Sequence, residues 1–303
     1  MTSFPAKGRF LANRAVQYFE QAIEKDSNYA IAYAGIADTL LAVDRNMGAA
    51  AAPTTFPRAK AAAEKAAELD PMLSEAQSAL ASVRAREYAW QDAERGFRRA
   101  IELNSNNALA RLGLGASVLV EQGRFEEGLE EAGRAEALDP LSPYVNTEFG
   151  RALLMAGHFE EAVDQLRRAI ALDPSRTTPY TLMGRALYLQ GKTAEALTVF
   201  EDSSERGVPP GGPVWQACAE VRAGRRDRAL GVLQKQLGAG MQARDLAHTY
   251  ACLGDADHAL EYLEISFEER DGGLAQILQA PELAWMRSNP RFAALRQKLN
   301  LAP

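Results

Sequence analysis

A short polar segment that recurs at a fixed spacing constrains this sequence more than any other feature. It ends an apolar stretch at five places, as KDSN at 25–28, LDP at 69–71, LNS at 103–105, LDP at 138–140 and LDP at 172–174. The last four lie 34 or 35 residues apart. A period of this length indicates one supersecondary unit per repeat, and such units bury a continuous core by stacking on their neighbours.

The stretch 143–174 shows what one unit contains. Apolar residues recur at helical spacing on both sides of Gly157, as Val145, Phe149, Ala152 and Leu153 before it and as Ala162, Val163, Leu166, Ala169 and Ile170 after it. Glycine tolerates the positive φ that a tight turn needs. Pro174 cannot continue the second helix. The unit is therefore predicted to be a pair of antiparallel helices.

The period also predicts how the chain is organised. We expect a partial repeat helix at 1–27, a regular array of about five repeats at 28–208, two shorter divergent repeats at 209–273 and a C-terminal capping segment at 274–303. The longer interval from Asp26 to Asp70 predicts an insertion in the first full repeat, which we place at 44–57. Because the chain starts inside a repeat, we expect that more protein preceded Met1 or that the chain was trimmed.

This pattern resembles the tetratricopeptide repeat (TPR). Asn146, Phe149, Gly150 and Leu153 stand at the W-x2-LG-x2-Y positions, and Ala162, Leu166, Ala169 and Pro174 at the positions of the second helix and the closing proline. AYAGIAD at 32–38 and PELAWMRSNPRFAALRQKL at 281–299 resemble a bacterial family with TPR arrays at the C-terminal end of signalling proteins and transcription regulators. The resemblance implies an all-α, right-handed superhelical TPR solenoid of six to seven stacked helix pairs with a C-terminal capping helix. It also implies that the array reads a signal for an attached winged-helix, cyclase or kinase domain.

Composition excludes several classes. A net charge of −6 argues against general nucleic-acid binding. The sequence has no apolar run of 18 residues and no signal peptide at its N-terminus, so we expect a cytoplasmic protein without a membrane span. The two cysteines, Cys218 and Cys252, lie far apart in the sequence, and we expect no disulfide framework.

No catalytic pattern stands out, so we expect neither an enzyme nor a metal or cofactor site. HExxH, CxxC, GxGxxG and GxxxxGK[ST] are all missing from the sequence. His158 and His258 are interpreted as solvated. The basic cluster of Arg84, Arg86, Arg95, Arg98 and Arg99 is interpreted as a solvated face paired with nearby glutamates, with an anion-binding patch as the alternative.

The first helices of TPR pairs line a concave groove, and helical spacing predicts which side chains face it. The predicted partner-binding residues are Tyr144, Thr147, Arg151, Thr181, Arg185, Tyr188, Arg244 and His248. Arg151 and Arg185 lie 34 residues apart at one repeat position, and we expect them to form a ladder that takes the carboxylates of an acidic extended segment. The alternative is that they pair with Glu148 and its neighbours. Upstream, an apolar part of the groove is expected from Leu109, Leu112, Ala116 and Leu119.

These features predict a non-catalytic scaffold or regulatory module that binds a peptide or a partner helix in the groove. Two alternatives remain open. The array is a homodimerising or intramolecular sensor module of a signalling protein, or it is an accessory subunit whose groove holds a small ligand.

Overall fold

A computed structural model describes residues 4–47, 52–205, 212–238, 240–269, 271, 273–299 and 301. Every regular element in these ranges is a helix. The chain divides into two compact units, residues 1–174 and 175–303. The predicted boundary at 208/209 and part of the predicted insertion, residues 48–51, lie outside the described residues.

The first unit consists of a leading helix followed by antiparallel helix pairs. Its helices are α1 (Phe4–Lys25), α2 (Ala30–Met47), α3 (Ala52–Leu69), α4 (Ser74–Arg86), α5 (Trp90–Leu103), α6 (Ala108–Leu114) continued by a π-helical turn (Gly115–Leu119), α7 (Phe125–Leu138), α8 (Pro143–Met155) and α9 (Phe159–Leu172). The helices α2 and α3 have 18 residues each, against 13 and 14 in α4 and α5. The extra residues of the first full repeat therefore lengthen both of its helices.

The second unit continues the same arrangement and ends in a cap. Its helices are α10 (Thr178–Leu189), α11 (Thr193–Glu205), α12 (Gly212–Arg222), α13 (Arg226–Gly238), α14 (Ala243–Cys252), α15 (Ala256–Glu268), α16 (Leu274–Gln279), a 3-10 helix (Pro281–Met286) and α17 (Pro290–Lys298). Asn289 caps α17, because its side chain accepts a hydrogen bond from the backbone N–H of Arg291, and Pro290 occupies the first turn. Phe292 and Leu295 of α17 are buried in one apolar cluster with Leu263 of α15, so the predicted capping helix is confirmed.

Small residues let the two helices of a pair approach closely. Ala132, Ala135, Ala162 and Ala169 have no exposed surface. A Cβ atom added to Gly150 would lie 2.7 Å from Cγ of Leu166, and one added to Gly184 would lie 2.3 Å from the ring of Phe200. Alanine and glycine at these repeat positions therefore set the spacing of the helices.

The turns within the pairs use a left-handed residue. Gly157 has φ of 85°, and Gly191 and Gly224 have φ of 80° and 75°. Tyr88 stands in the turn between α4 and α5 with φ of 59°, so this pair makes the turn without glycine. The predicted glycine turn at 157 is confirmed.

One stretch predicted as regular helix is not. After Leu114 the chain forms a π-helical turn, in which the N–H of Val120 donates to the carbonyl oxygen of Gly115 at 3.0 Å. A Cβ atom on Gly115 would lie 2.4 Å from the carbonyl oxygen of Gly128. The helix therefore widens where two backbones pass in near contact, and spacing alone does not reveal this.

The expectation that Cys218 and Cys252 give no disulfide framework is wrong. Cys218 on α12 and Cys252 on α14 form a disulfide, with their Cα atoms 5.0 Å apart. Their separation of 34 residues equals the repeat, so the two residues occupy one position in consecutive first helices. Distance along the sequence is misleading in a stacked array, because one period brings the chain back to the same place in the next layer.

Within the described residues, no helix is both long enough and apolar enough to cross a membrane.

Candidate partner-binding face

The predicted groove residues fall into two groups that belong to different units. Tyr144, Thr147 and Arg151 lie on α8 in the first unit. The other five lie on α10 and α14 in the second unit, and they are Thr181, Arg185, Tyr188, Arg244 and His248.

The guanidinium of Arg151 already has carboxylate partners within the first unit. Its Nε and Nη2 donate to Oε2 of Glu148 at 2.9 and 2.8 Å, and its Nη1 donates to Glu121 at 3.1 Å. Burial disfavours the charge, but the carboxylates of Glu148 and Glu121 outweigh it and raise the pKa of Arg151. The alternative of pairing with Glu148 is therefore the arrangement that the structure has.

The neighbours of Arg151 are also engaged internally. The hydroxyl of Thr147 donates to the carbonyl oxygen of Pro143 at 2.6 Å, and Thr147 is buried. Tyr144 is half-buried and packs on the apolar cluster that contains Val145 and Ala152. Leu112, Ala116 and Leu119, expected to form an apolar groove, are also buried in the core, and among these predicted residues Leu109 alone is exposed.

In the second unit, Arg185 holds a carboxylate of the capping segment. Its Nε and Nη2 donate to Oε1 and Oε2 of Glu282 at 3.2 and 3.4 Å. Both side chains are buried, with 6% and 3% of their surfaces exposed. The guanidinium carbon of Arg185 also lies 4.5 Å from the ring centre of Trp215 on α12. The acid-binding role predicted for Arg185 is thus filled by residue 282 of the same chain.

Tyr188 lies one turn further along α10. The guanidinium of Arg222 stacks on its ring at 3.6 Å, and Arg222 Nη1 donates to the backbone carbonyl oxygen of Tyr188. Burial raises the pKa of the Tyr188 phenol, partly offset by the charge of Arg222. Arg222 remains exposed to solvent.

His248 is buried rather than open to a partner. Its ring meets that of Trp215 edge-on at 4.2 Å, and its surface is 1% exposed. Burial, reinforced by the charges of Arg185 and Arg244, lowers the pKa of His248 to about 3. Its Nε2 is buried and has no hydrogen-bond partner among the described residues.

Arg244 on α14 contacts Asp271, which lies between α15 and α16. Its Nη1 donates to Oδ1 of Asp271 at 2.8 Å, and its Nη2 donates to Gln242 at 2.7 Å. Thr181 is half-buried on α10.

A half-open cavity of about 330 Å³ lies beside these side chains. It is lined by Tyr188, Leu189, Arg222, Ala251, Cys252, Glu282 and Trp285. Trp285 is 49% exposed. We call the surface formed by α10, α12 and α14 around this cavity the first-helix face of the second unit.

Sequence reasoning missed three residues of this face. Arg222 and Trp215 stand 34 residues after Tyr188 and Thr181, so the repeat period could have identified both. Glu282 lies in the closing segment outside the repeats, and no periodic signal marks it.

The basic cluster of the first unit pairs locally, as predicted. Arg84 contacts Glu87, Arg98 contacts Glu94 and Glu127, and Arg99 contacts Glu102. Arg95 contacts Asp92, and the guanidinium of Arg86 lies over the ring of Phe56.

Comparison with known proteins agrees with this architecture. The sequence model of the bacterial transcriptional activator domain matches residues 69–210. No curated protein matches the chain significantly.

Solved structures show the same fold. Pseudomonas aeruginosa PilF is 21% identical with a TM-score of 0.51, over 77% of this chain and 97% of that chain. The human IFIT1 dimer with m7Gppp-AAAA is 18% identical with a TM-score of 0.63, over 94% of this chain and 73% of that chain. Both are TPR solenoids, and at these identities the likeness concerns the fold.

Proposed function

Because the chain has the tetratricopeptide-repeat fold and resembles the arrays of bacterial transcriptional regulators, we propose that it is a non-catalytic protein-interaction module. In this proposal a peptide segment or partner helix binds on the first-helix face of the second unit. Stacked helix pairs supply such a surface with side chains from several consecutive repeats.

The observation that carries this proposal is the way the second unit holds a segment of its own chain. The 3-10 helix Pro281–Met286 places the carboxylate of Glu282 on Arg185. Arg185 also lies against the indole of Trp215. An acid on an arginine backed by an aromatic ring is a chemistry that recognises acidic peptides. The preferred partner is therefore an acidic segment.

An incoming partner would contact the exposed edge of this surface rather than its buried charges. Arg151 and Arg185 are each satisfied by carboxylates of their own unit, so reversing their charge would damage the fold. Arg222 and Trp285 are exposed and line the cavity. They offer a cation and a large aromatic surface, which are the side chains most often energetically important at interfaces.

The contact between Glu282 and Arg185 also favours a second candidate function, an intramolecular sensor. In that case an acidic partner would compete with Pro281–Met286 for the second unit and would thereby release the closing segment. A homodimer is the other outcome that the following experiment distinguishes.

The test is photo-crosslinking of the full chain in a lysate of the source cells. A photoreactive phenylalanine analogue replaces the exposed Trp285 at the cavity, which keeps an aromatic ring there and leaves Arg222 in place. In the control it replaces Arg228, an exposed arginine on the second helix α13. Mass spectrometry identifies the adducts, and circular dichroism verifies that both variants stay helical.

We expect the variant at position 285 to capture a discrete protein that the variant at position 228 does not capture. An acidic competitor peptide, polyglutamate, should reduce the yield. Adducts with a second copy of this chain would indicate the homodimer. Equal capture at the two positions, or none at either, would contradict the proposal.

A further inference from the structure

Three potential metal ligands of the second unit converge between α12 and α14. They are Cys218, Cys252 and His248, and their ligand atoms all lie within 4.8 Å of one another. His248 precedes Cys252 by one helical turn, so both side chains lie on the same face of α14. The repeat period places Cys218 opposite them.

This spacing suits a tetrahedral ion. With Zn–S near 2.3 Å and Zn–N near 2.0–2.1 Å, ligand atoms of a tetrahedral site lie about 3.5–3.8 Å apart. Once the disulfide is opened, the two sulfurs need to separate by about 2 Å, which side-chain rotation can supply. The Cα atoms, 5.0 Å apart, need not move far.

The burial of His248 supplies an independent observation. Its imidazole is 1% exposed, and its Nε2 is buried without a hydrogen-bond partner among the described residues. Buried polar atoms in native proteins nearly always have a partner, so a buried nitrogen without one calls for an explanation. A metal ion bound at Nε2 would give this nitrogen the partner that it lacks.

The local charge balance permits an ion here. A Zn²⁺ ion bound by two thiolates and a neutral imidazole has no net charge, like the disulfide that it replaces. Arg185 and Arg244 are the nearby cations that would oppose a bare metal ion. Each is paired with a carboxylate, Arg185 with Glu282 and Arg244 with Asp271. The ion therefore meets a nearly neutral environment.

The cavity provides access. Cys252 lines it together with Arg222 and Trp285. A water molecule can thus reach the cluster and occupy the fourth coordination position, which three protein ligands leave open.

We propose that Cys218, Cys252 and His248 form a redox-controlled site for a thiophilic divalent cation, Zn²⁺. A dithiol reductant donates two electrons and two protons, which break the S–S bond and give two thiols while the reductant becomes a disulfide. Zn²⁺ then displaces the two thiol protons and binds both sulfurs and one imidazole nitrogen. Oxidation by a disulfide oxidant removes two electrons from the thiolates, restores the S–S bond and releases the ion. The array thus exchanges one cross-link between α12 and α14 for another.

Titration of the full chain with Co²⁺, a spectroscopic probe for zinc sites, tests this directly. After reduction with a phosphine and its removal under argon, we expect one equivalent of Co²⁺ to give thiolate-to-cobalt charge-transfer bands and tetrahedral d–d bands. One equivalent of Zn²⁺ should abolish both. The oxidised chain should give neither.

Two variants locate the site. His248→Asn should weaken binding by at least the roughly 10–100-fold that loss of outer-shell partners causes, because a direct ligand is removed. His258→Asn, at an exposed histidine of the same unit, should bind as the unaltered chain does. Circular dichroism on the reduced His248→Asn chain shows whether it is folded. Failure of the reduced chain to bind one equivalent, unchanged binding by folded His248→Asn, or binding by the oxidised chain would each overturn the proposal.

Discussion

The buried ion pair between Arg185 and Glu282 should be the strongest electrostatic contact that holds the closing segment to the second unit. Its side chains are 6% and 3% exposed, and they meet through two hydrogen bonds. Removing one member of a buried pair leaves the other charge unpaired in a poorly solvated place, at a cost of about 3–5 kcal/mol. We therefore expect Glu282→Gln and Arg185→Met each to lower the free energy of unfolding of the second unit by about that amount.

The double variant separates the pair from its surroundings. With both charges removed, no unpaired charge remains, so Arg185→Met/Glu282→Gln should lose clearly less than the sum of the single variants. The difference between the sum of the two single losses and the loss in the double variant is the coupling free energy of Arg185 and Glu282. An exposed pair of the same unit, Arg291 with Glu264, offers a matched comparison, and we expect a much smaller coupling there because solvent screens it.

Urea unfolding followed by tryptophan fluorescence is a suitable assay, because Trp215 and Trp285 both belong to the second unit. Trp90→Phe in every variant removes the signal of the first unit. If the single variants lose less than about 1 kcal/mol each, or if the effects of the two substitutions simply add, Arg185 and Glu282 do not act as a buried pair and the reasoning fails.

Three further predictions concern packing, the disulfide and pH. Gly115→Ala should destabilise the first unit by about 1–3 kcal/mol, because the added Cβ would meet the backbone of Gly128. Gly133→Ala on α7 should stabilise the same unit by about 0.5–1 kcal/mol, because alanine favours the helix. Equal urea midpoints for the two variants would contradict this prediction. Reducing the Cys218–Cys252 disulfide, which spans 34 residues, should lower the stability of the metal-free second unit by about 4 kcal/mol, because the unfolded chain gains entropy when the loop is opened. A melting temperature that reduction leaves unchanged would refute the cross-link. Burial lowers the pKa of His248 to about 3 from an ordinary 6.5, so only the unfolded state binds a proton here as the pH falls from 6.5 to 5. The free energy of unfolding of the oxidised, metal-free chain should therefore fall by about 2 kcal/mol more than that of His248→Asn across this range. Parallel pH profiles of the two chains would argue against a buried neutral imidazole.

The fold could be predicted from the sequence because the same pattern of apolar, small and turn residues occurs in every repeat. Residues equivalent to Ala162 and Gly157 occur in neighbouring repeats, and one local pattern therefore predicts both the helix pairs and their turns. Pro290 in the first turn of α17 is a local signal of the same kind, because proline is favoured at the start of a helix.

The candidate site was harder to predict because its residues interact across repeats or outside them. Spacing alone gave Arg151 and Arg185 the same environment, whereas the structure surrounds one with Glu148 and Glu121 and gives the other Glu282. The disulfide was missed because the separation of 34 residues was measured along the chain, although one period returns the chain to the same position in the next layer.

The most direct test of partner binding on the first-helix face is a calorimetric titration of the protein captured at position 285 into three forms of the full chain: unaltered, Arg222→Glu and Arg228→Glu. We expect the unaltered chain and Arg228→Glu to bind the partner with the same affinity, and Arg222→Glu to bind at least about tenfold more weakly, which corresponds to about 1.4 kcal/mol. Equal affinities for all three forms would contradict the claim that the partner binds on the first-helix face of the second unit.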